Sequence, residues 1–257
     1  MKMRIDQALF ELGFAPSKTK AQELISAGEV EFRTKNGLWR RAEKPGMSIT
    51  VEEYEIRISE ASDILKYVSR GGLKLEGALQ GLRLNVNGFR VLDVGVSTGG
   101  FTDCLLQHGA EHVTAIDVSR NGELAEKLRR DNRVEFICRI NARHLREELK
   151  VNQLFDLVVI DVSFISLSAV LPEVFDFIMP GGKLLGLIKP QFEVGQKHLN
   201  KRGIVKSSAA IEEALTRLKS EAEKARFLVC DVFKSRVKGK DGNQEYFLYA
   251  QKPKGGL

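Results

Sequence analysis

The chain has 257 residues, of which 43% are apolar and 29% charged, and this balance excludes a disordered or collagen-like chain. Its net charge of +6 suits a polyanionic partner, although an enzyme without such a partner can have the same charge. Three scattered cysteines argue against a disulfide framework, and we find no signal peptide and no run of about 18 apolar residues. We therefore expect a cytoplasmic protein without membrane insertion.

Residues 1–60 predict a small α-then-β unit. Apolar residues at helical spacing indicate one helix that stops at Gly13, and a second that is capped by Ser17 and stops at Gly28. Short strands are predicted in EVEFR, NGLWR and SITVEEYEIRI. The unit contains ten basic and ten acidic residues, so the excess positive charge lies beyond it.

Residues 61–68 are predicted to form a linker and residues 69–257 a second domain. A helix is expected from Leu73, after a break at Gly71 and Gly72. From residue 91 onward, short apolar runs alternate with helical stretches, which predicts a Rossmann-like doubly wound α/β sheet. The last run, EYFLYAQKP, follows a turn in KGKDGN and should pair antiparallel in a hairpin.

The segment VLDVGVSTGG joins the first strand of this sheet to a helix. Its glycines depart from the dinucleotide-binding pattern G-x-G-x-x-G, because Ser97 occupies the second glycine position. Ser97 and Thr98 would crowd a pyrophosphate, whereas S-adenosylmethionine carries no phosphate and needs an acid for its ribose hydroxyls. Asp117, at the end of the next strand, offers that acid, and a helix cap is its alternative role. The pattern favours a methyltransferase over a dinucleotide enzyme.

The first 60 residues also resemble the S4 RNA-binding domain. The matching residues are Arg4, Asp6, Leu9, Gly13, Ser17, Lys18, Ala21, Leu24, Ile25, Gly28 and Val30. This resemblance implies two helices that face folded RNA, with a platform made of Arg4, Lys18, Lys20 and Arg33. The neutral charge of the unit supports the alternative, in which these four side chains are only solvated surface charges.

Nearly the whole chain resembles the TlyA family. The matching motifs, in order, are KYVSRGGLKLEGAL, DVGVSTGGFTDCLLQHGA, INAR, DVSFISL, LIKPQFEVG and GNQEYF. The resemblance implies an FtsJ-like methyltransferase behind an S4 domain, acting with S-adenosylmethionine on cytidine 2′-hydroxyls of ribosomal RNA or of a ribosomal subunit. Family members are also named haemolysins, but we find no insertion element for a membrane-active protein. An RNA-binding protein without activity is a third alternative, against which the complete set of catalytic residues argues.

The resemblance places a Lys-Asp-Lys-Glu tetrad around the target hydroxyl, at Lys74, Asp161, Lys189 and Glu245. We assign Lys189 as the base and Asp161 as the group that orients it, while the other two hold the hydroxyl and its flanking phosphate. The residues expected to contact the cofactor are Asp93, Gly95, Ser97, Gly99, Gly100, Phe101, Asp117, Asn141 and Ala142. No metal site is predicted, because the four histidines lack the spacing of metal ligands.

Overall fold

The computed structural model describes residues 1–59, 62–120, 123–151, 153–239 and 241–255. Its internal contacts divide the chain into two compact units, Met1–Tyr67 and Val68–Leu257. The division falls within the predicted linker 61–68. Residue 60 at the end of the predicted first domain, residue 61 of the linker and the last two residues of the predicted second domain lie outside the described residues.

The first unit combines two short helices with short antiparallel strands. Its elements are β1 (Lys2–Arg4), α1 (Ile5–Glu11), α2 (Lys18–Ser26), β2 (Val30–Thr34), β3 (Arg40–Arg41), β4 (Ser48–Thr50) and β5 (Tyr54–Ile58). The strands form a sheet of order β3-β2-β5 and a separate β1-β4 pair. A core of apolar residues from both helices and from β2 and β4 lies between these elements.

Local signals in the first unit predict its helices better than its strands. Ser17 caps α2 as expected, since its Oγ accepts a hydrogen bond from the backbone N–H of Lys20 at 3.2 Å. Gly28 follows α2 with a φ of +75°, a left-handed conformation that suits glycine. The predicted strand SITVEEYEIRI is interrupted by a 3₁₀ turn at Val51–Glu53, so its two halves join different sheets.

The second unit is the predicted doubly wound α/β domain. Its elements are α3 (Gly71–Leu82), β6 (Arg90–Val94), α4 (Gly100–Gln107), β7 (His112–Asp117), α5 (Glu126–Arg129), β8 (Val134–Cys138), α6 (Leu145–Glu148), β9 (Phe155–Ile160), α7 (Leu171–Val174), β10 (Ile178–Ile188), α8 (Pro190–Glu193), α9 (Ser208–Lys224), β11 (Leu228–Lys234) and β12 (Tyr246–Gln251). Seven strands form one sheet of order β11-β12-β10-β9-β6-β7-β8. The five strands from β10 to β8 run parallel, and β12 lies antiparallel between β10 and β11. This order confirms both the fold class and the antiparallel last strand.

The strand order determines where a ligand can bind. From β6 the chain builds outward to β7 and β8 on one side, and then returns to place β9 and β10 on the other. The central strands are buried and mainly apolar, with Asp93 and Thr114 as buried polar exceptions, as expected where helices cover both faces of a sheet. In such sheets the crevice at the carboxyl ends of the strands, where the order reverses, is the usual binding site. Here it lies beyond Val94 and Ile160.

Helix α3 begins earlier than predicted. Gly71 and Gly72 form its first turn and do not break it. A side chain at Gly100 of α4 would place its Cβ 2.9 Å from the backbone nitrogen of Gly72 and 3.1 Å from Cα of Gly71. The three glycines therefore allow the two helices to approach closely, and this contact positions the helix that carries Lys74.

Candidate active site

Hydrogen bonds and close backbone packing hold the loop after β6 to its neighbouring strands. Gly95 has a φ of +88°, and a Cβ at this position would lie 2.8 Å from the carbonyl oxygen of Asp161. The N–H groups of Gly95 and Val96 donate to the carbonyl oxygen of Ile116 at 3.0 and 3.1 Å. Ser97, with a φ of +48°, donates its N–H to Oδ2 of Asp117 at 2.8 Å. Glycine is needed at position 95 because β9 passes too close for a side chain.

A cavity of about 430 Å³ opens at the carboxyl ends of β6, β7, β8 and β9. Its wall contains five of the predicted cofactor residues and one member of the tetrad, namely Gly95, Ser97, Asp117, Asn141, Ala142 and Asp161. Apolar side chains, including Ile116, Val118, Ile140 and Ile165, provide much of the remaining surface. A carboxylate beside apolar walls fits a nucleoside. Its ribose hydroxyls can donate hydrogen bonds to the carboxylate, and the faces of its base can pack against the apolar side chains.

The other four predicted cofactor residues do not line this cavity. Gly99 lies against Leu128, since a Cβ at Gly99 would be 2.3 Å from its Cδ1. Gly100 contacts α3, as described above. Phe101 is buried and stacks on Phe247 with ring centroids 6.2 Å apart. These three residues pack the start of α4 against α5, α3 and β12. Their contact with a cofactor stays a prediction.

Asp93, the fourth of these residues, is fully buried beneath the loop. Its Oδ2 accepts a hydrogen bond from Oγ1 of Thr102 at 2.6 Å, whereas its Oδ1 finds no hydrogen-bond donor among the described residues. Burial, with a smaller contribution from the charges of Asp161 and Asp117, raises the pKa of Asp93 to about 7 against the opposing effect of Thr102. An acceptor without a donor next to the cavity wall fits a bound group that brings an N–H or a positive charge.

The four tetrad residues form two ion pairs. Nζ of Lys74 lies 2.6 Å from Oε2 of Glu245, and Nζ of Lys189 lies 2.7 Å from Oδ1 of Asp161. All four side chains are largely buried. Both contacts have the length of a charge-assisted hydrogen bond, and each carboxylate oxygen has a further lone pair that can accept a second hydrogen bond.

The tetrad is assembled from the ends of strands and one helix. Asp161 follows β9 directly, Lys189 follows β10, and Glu245 precedes β12, while Lys74 lies in α3. Because β9 and β10 are parallel neighbours and β12 is antiparallel to β10, these three positions meet at one edge of the sheet. The sequence motifs predicted the positions, and the strand order explains why they lie together.

Comparisons with known proteins decide the family. The FtsJ-like methyltransferase family matches residues 67–252, and the S4 domain matches residues 3–31. The 16S/23S rRNA (cytidine-2'-O)-methyltransferase TlyA of Mycobacterium tuberculosis is 38% identical to this chain, over 96% of this chain and 89% of its own. The chain belongs to the TlyA family.

Other members of the TlyA family carry a different label. Hemolysin A of Brachyspira hyodysenteriae is 36% identical over 96% of this chain and 99% of its own. A solved structure described as "Putative hemolysin from Streptococcus thermophilus" is 37% identical, covers 98% of this chain and 89% of its own, and superposes with a TM-score of 0.74. In the described part of this TlyA-family chain, we find no helix with the length and apolar character needed to cross a bilayer.

The S4 unit of this TlyA-family protein presents its predicted RNA-contacting residues unequally. Lys18 is exposed, and Arg4 is half-exposed but forms two hydrogen bonds with Asp6 at 2.7 and 2.9 Å. Arg33 is partly exposed and pairs with Glu55 at 2.7 Å. Paired arginines can still contact phosphate, although each must then exchange or share its carboxylate partner.

Lys20 does not lie on this platform. Its side chain is 6% exposed, its Nζ donates to the carbonyl oxygen of Ile64 at 2.6 Å, and Glu23 lies 3.3 Å away. It faces inward because α2 packs against the segment that contains Ile64. Helical spacing alone could not show this, since Ile64 lies 44 positions further along the chain. Its contact with RNA has no support from this geometry.

Two residues near the tetrad were not singled out from the sequence, although both lie in the quoted motif DVSFISL. Ser163 accepts a hydrogen bond from Nζ of Lys189 at 2.7 Å and lines the cavity. Phe164 also lines the cavity, is 85% exposed and has a φ of +66°. A small polar residue two positions after the strand-end aspartate was the available signal for Ser163, because it shares that aspartate's loop.

Proposed function

We propose that this protein transfers a methyl group from S-adenosylmethionine to the 2′-hydroxyl of a cytidine in ribosomal RNA. The observation that carries the proposal is the double position of Asp161. This residue lines the cavity that fits a nucleoside, and it also pairs with Lys189 of the tetrad. A methyl donor in the cavity and a ribose beside Lys189 would therefore be neighbours, as an in-line displacement requires.

The described residues fit the methyl donor in three places. Asp117 would accept hydrogen bonds from ribose hydroxyls, and the apolar walls at Ile140 and Ala142 would take the base. The loop at Gly95 would face the amino-carboxylate end, with Asp93 buried beneath that loop. The bound cofactor supplies an electrophilic methyl group on a sulfonium, and positive charge near the acids is electrostatically favourable.

The two ion pairs of the tetrad have different roles at the hydroxyl. Lys189, in its neutral form, takes the proton from the ribose hydroxyl, and Asp161 and Ser163 fix the direction of its amine. Lys74 and Glu245 hold the hydroxyl and the adjacent phosphate, with Lys74 supplying positive charge and Glu245 an acceptor. The names of the TlyA relatives support ribosomal RNA as the substrate and cytidine as the nucleoside.

The proposal is tested on ribosomal subunits from cells that lack the gene. The subunits are incubated with the purified protein and isotope-labelled S-adenosylmethionine, and the RNA is digested and mapped by mass spectrometry. We expect label on the 2′-oxygen of cytidine in at least one ribosomal RNA. Label on a base, or no label in either subunit, would contradict the proposal, and the mapped position would identify the target nucleotide.

A further inference from the structure

A buried carboxylate outside the tetrad joins the two segments that carry Asp161 and Lys189. Glu193 lies at the end of α8, four residues after Lys189, and its side chain is 2% exposed. Its Oε1 accepts a hydrogen bond from the backbone N–H of Leu167 at 2.8 Å, and its Oε2 accepts one from Oγ of Ser166 at 2.7 Å. Both donors belong to the loop that begins at Asp161.

A third segment completes the network around Glu193. Arg217 of α9 donates from Nη2 to the carbonyl oxygen of Glu193 at 2.7 Å and lies 3.5 Å from its Oε2. Oγ of Ser166 also accepts the N–H of Ser168 at 3.2 Å and thereby caps a 3₁₀ turn at Leu167–Ala169. The carboxylate therefore connects the loop after β9, helix α8 and helix α9.

Polar contacts connect the loop after β9 to the segment after β10 at two places. At one end, Asp161 and Ser163 hold Nζ of Lys189 at 2.7 Å each. At the other end, Ser166 and Leu167 hold the carboxylate of Glu193. Only a few residues separate the two contact points on either segment. A displacement of Glu193 should therefore also displace Lys189.

A buried carboxylate is costly unless its donors compensate, and apolar residues of similar volume often stabilise a core at least as well. Folding alone does not explain why a carboxylate stands here. Glu193 has no proposed contact with substrate or cofactor. Its hydrogen bonds instead hold the loop after β9 and helix α9 next to α8.

We propose that Glu193 is a positioning residue for the methyl transfer, which acts by fixing Lys189 against Asp161 and Ser163. This inference rests on the proposed function. It assigns Glu193 no proton transfer and no ligand. A displacement of about 1 Å between reacting groups can lower a rate by about a hundredfold, so loss of the carboxylate should reduce the chemical step and leave cofactor binding intact.

The test compares Glu193→Ala, Glu193→Gln and a matched control, Asp156→Asn. Asp156 also accepts a backbone N–H with its carboxylate, that of Arg90 at 2.9 Å, but at the opposite end of the sheet. We expect Glu193→Ala to lower the single-turnover methylation rate roughly 10- to 100-fold, with the Kd for S-adenosylmethionine changed less than about twofold. Glu193→Gln should recover part of the rate, because the amide oxygen can accept the N–H of Leu167 and the amide nitrogen can donate to Ser166. Asp156→Asn should leave the rate unchanged even where it lowers Tm.

A double mutant separates positioning from general destabilisation. If Glu193 acts through Lys189, Glu193→Gln should cost little further rate once Lys189→Ala is present, since coupled residues are not additive. Full additivity, or a normal rate per folded molecule in Glu193→Ala, would overturn the positioning role while the wild-type activity upholds the proposed function. An inactive wild-type protein would instead overturn both. If Glu193→Ala does not fold, the Gln variant alone decides between these outcomes.

Discussion

Lys189 has two partners in the free protein, and this arrangement determines what its substitution should do. Its Nζ contacts Asp161 and Ser163, and only its neutral form can accept a proton from a ribose hydroxyl. Lys189→Ala should lower the single-turnover rate about 10²- to 10⁴-fold, while the Kd for S-adenosylmethionine stays near the wild-type value. Lys189→Arg should be no more active, because a guanidinium stays protonated in proteins.

Two simpler roles for Lys189 give different results in the same experiment. If the residue only binds a phosphate, arginine should restore most of the rate. If it is only a strand-end charge, alanine should be tolerated. A base also requires that the wild-type rate at saturating substrates rises with pH and then levels off. Substantial activity in Lys189→Arg would leave positioning as the better account of this residue.

Asp93 predicts a pH dependence of stability in the ligand-free protein. Burial raises its pKa from 3.8 to about 7. Below about pH 4 the carboxyl is protonated in both the folded and the unfolded chain, so ionisation costs the fold nothing. Between pH 4 and 7 the unfolded chain loses this proton and the folded chain retains it, so the free energy of unfolding falls by up to about 4 kcal/mol. Above pH 7 this contribution stays constant.

Asp93→Asn should remove this part of the pH dependence. The amide oxygen can still accept the hydrogen bond from Thr102, and no charge is buried. The variant should therefore gain stability relative to the wild type as pH rises from 4 to 7, with no further gain above pH 7. Urea unfolding of both proteins across this range measures the difference. Parallel stability curves would show that Asp93 is ionised in the fold at all these pH values.

At the scale of elements, the contact between α3 and α4 depends on glycine. A Cβ at Gly100 would lie 2.9 Å from a backbone nitrogen of α3, so Gly100→Ala should push the helices apart. We expect a loss of about 1–3 kcal/mol in the free energy of unfolding and a lower methylation rate, because α3 carries Lys74. Gly81→Ala is the matched control in α3, where a Cβ meets nothing within 4 Å.

The control should be neutral or more stable by about 0.5–1 kcal/mol, since alanine loses less backbone entropy than glycine in a helix. Thermal unfolding and single-turnover methylation of both variants check the pair. Equal stability of Gly100→Ala and the wild type would show that the helices can separate at no cost. Position 100 would then have to be explained by the loop and its ligand.

The sheet elements show how far sequence patterns reach. Apolar runs predicted β6 to β12, and the runs are nearly continuous in the central parallel strands because both faces of those strands are buried. The alternation of these runs with helical stretches also predicted a doubly wound sheet. The same reasoning missed β1, which has three residues and depends on its pairing with β4, and it placed a break where Gly71 starts α3. In both cases a partner distant in sequence decides the local structure.

The site shows the same division between local and distant information. The resemblance to the TlyA family predicted the four tetrad positions, and their catalytic roles stay a prediction. The resemblance could not predict that Lys74 pairs with Glu245 and Lys189 with Asp161, because pairing depends on how elements cross in space. Glu193 lay in a quoted motif, LIKPQFEVG, yet nothing in its spacing pointed to Ser166 on another segment. The burial of Lys20 could not be predicted for the same reason, because Ile64 is distant in sequence.

At the scale of the whole molecule, charge is divided unequally between the two units. The first unit, Met1–Tyr67, contains 11 basic and 11 acidic side chains, so the entire excess of +6 belongs to the second. Several carboxylates of the first unit also neutralise its arginines directly, as Asp6 does for Arg4 and Glu55 for Arg33. Long-range attraction to RNA should therefore arise mainly from the methyltransferase unit, and the S4 unit should contribute local contacts.

This division leads to a prediction for a chain that lacks residues 1–60. The Kd for S-adenosylmethionine should stay within about twofold of the full-length value, because the cavity is built entirely from the second unit. Methylation of ribosomal RNA at low RNA concentration should fall strongly, since a tethered second contact raises effective concentration by orders of magnitude. Rate measurements at low and at saturating RNA, with calorimetry of the methyl donor, check both statements.

The salt dependence of RNA binding then identifies the unit that makes the phosphate contacts. Each phosphate neutralised by a basic side chain contributes about 0.7 to 0.9 to the slope of log K against log salt concentration. Because the excess charge belongs to the second unit, the truncated chain should retain more than half of the full-length slope despite its weaker binding. A full-length variant with Lys18→Ala, which removes an exposed basic residue of the S4 unit, should lower the slope by no more than about one contact. A slope that falls close to zero on truncation would place the phosphate contacts in the S4 unit and would show that net charge does not locate them here.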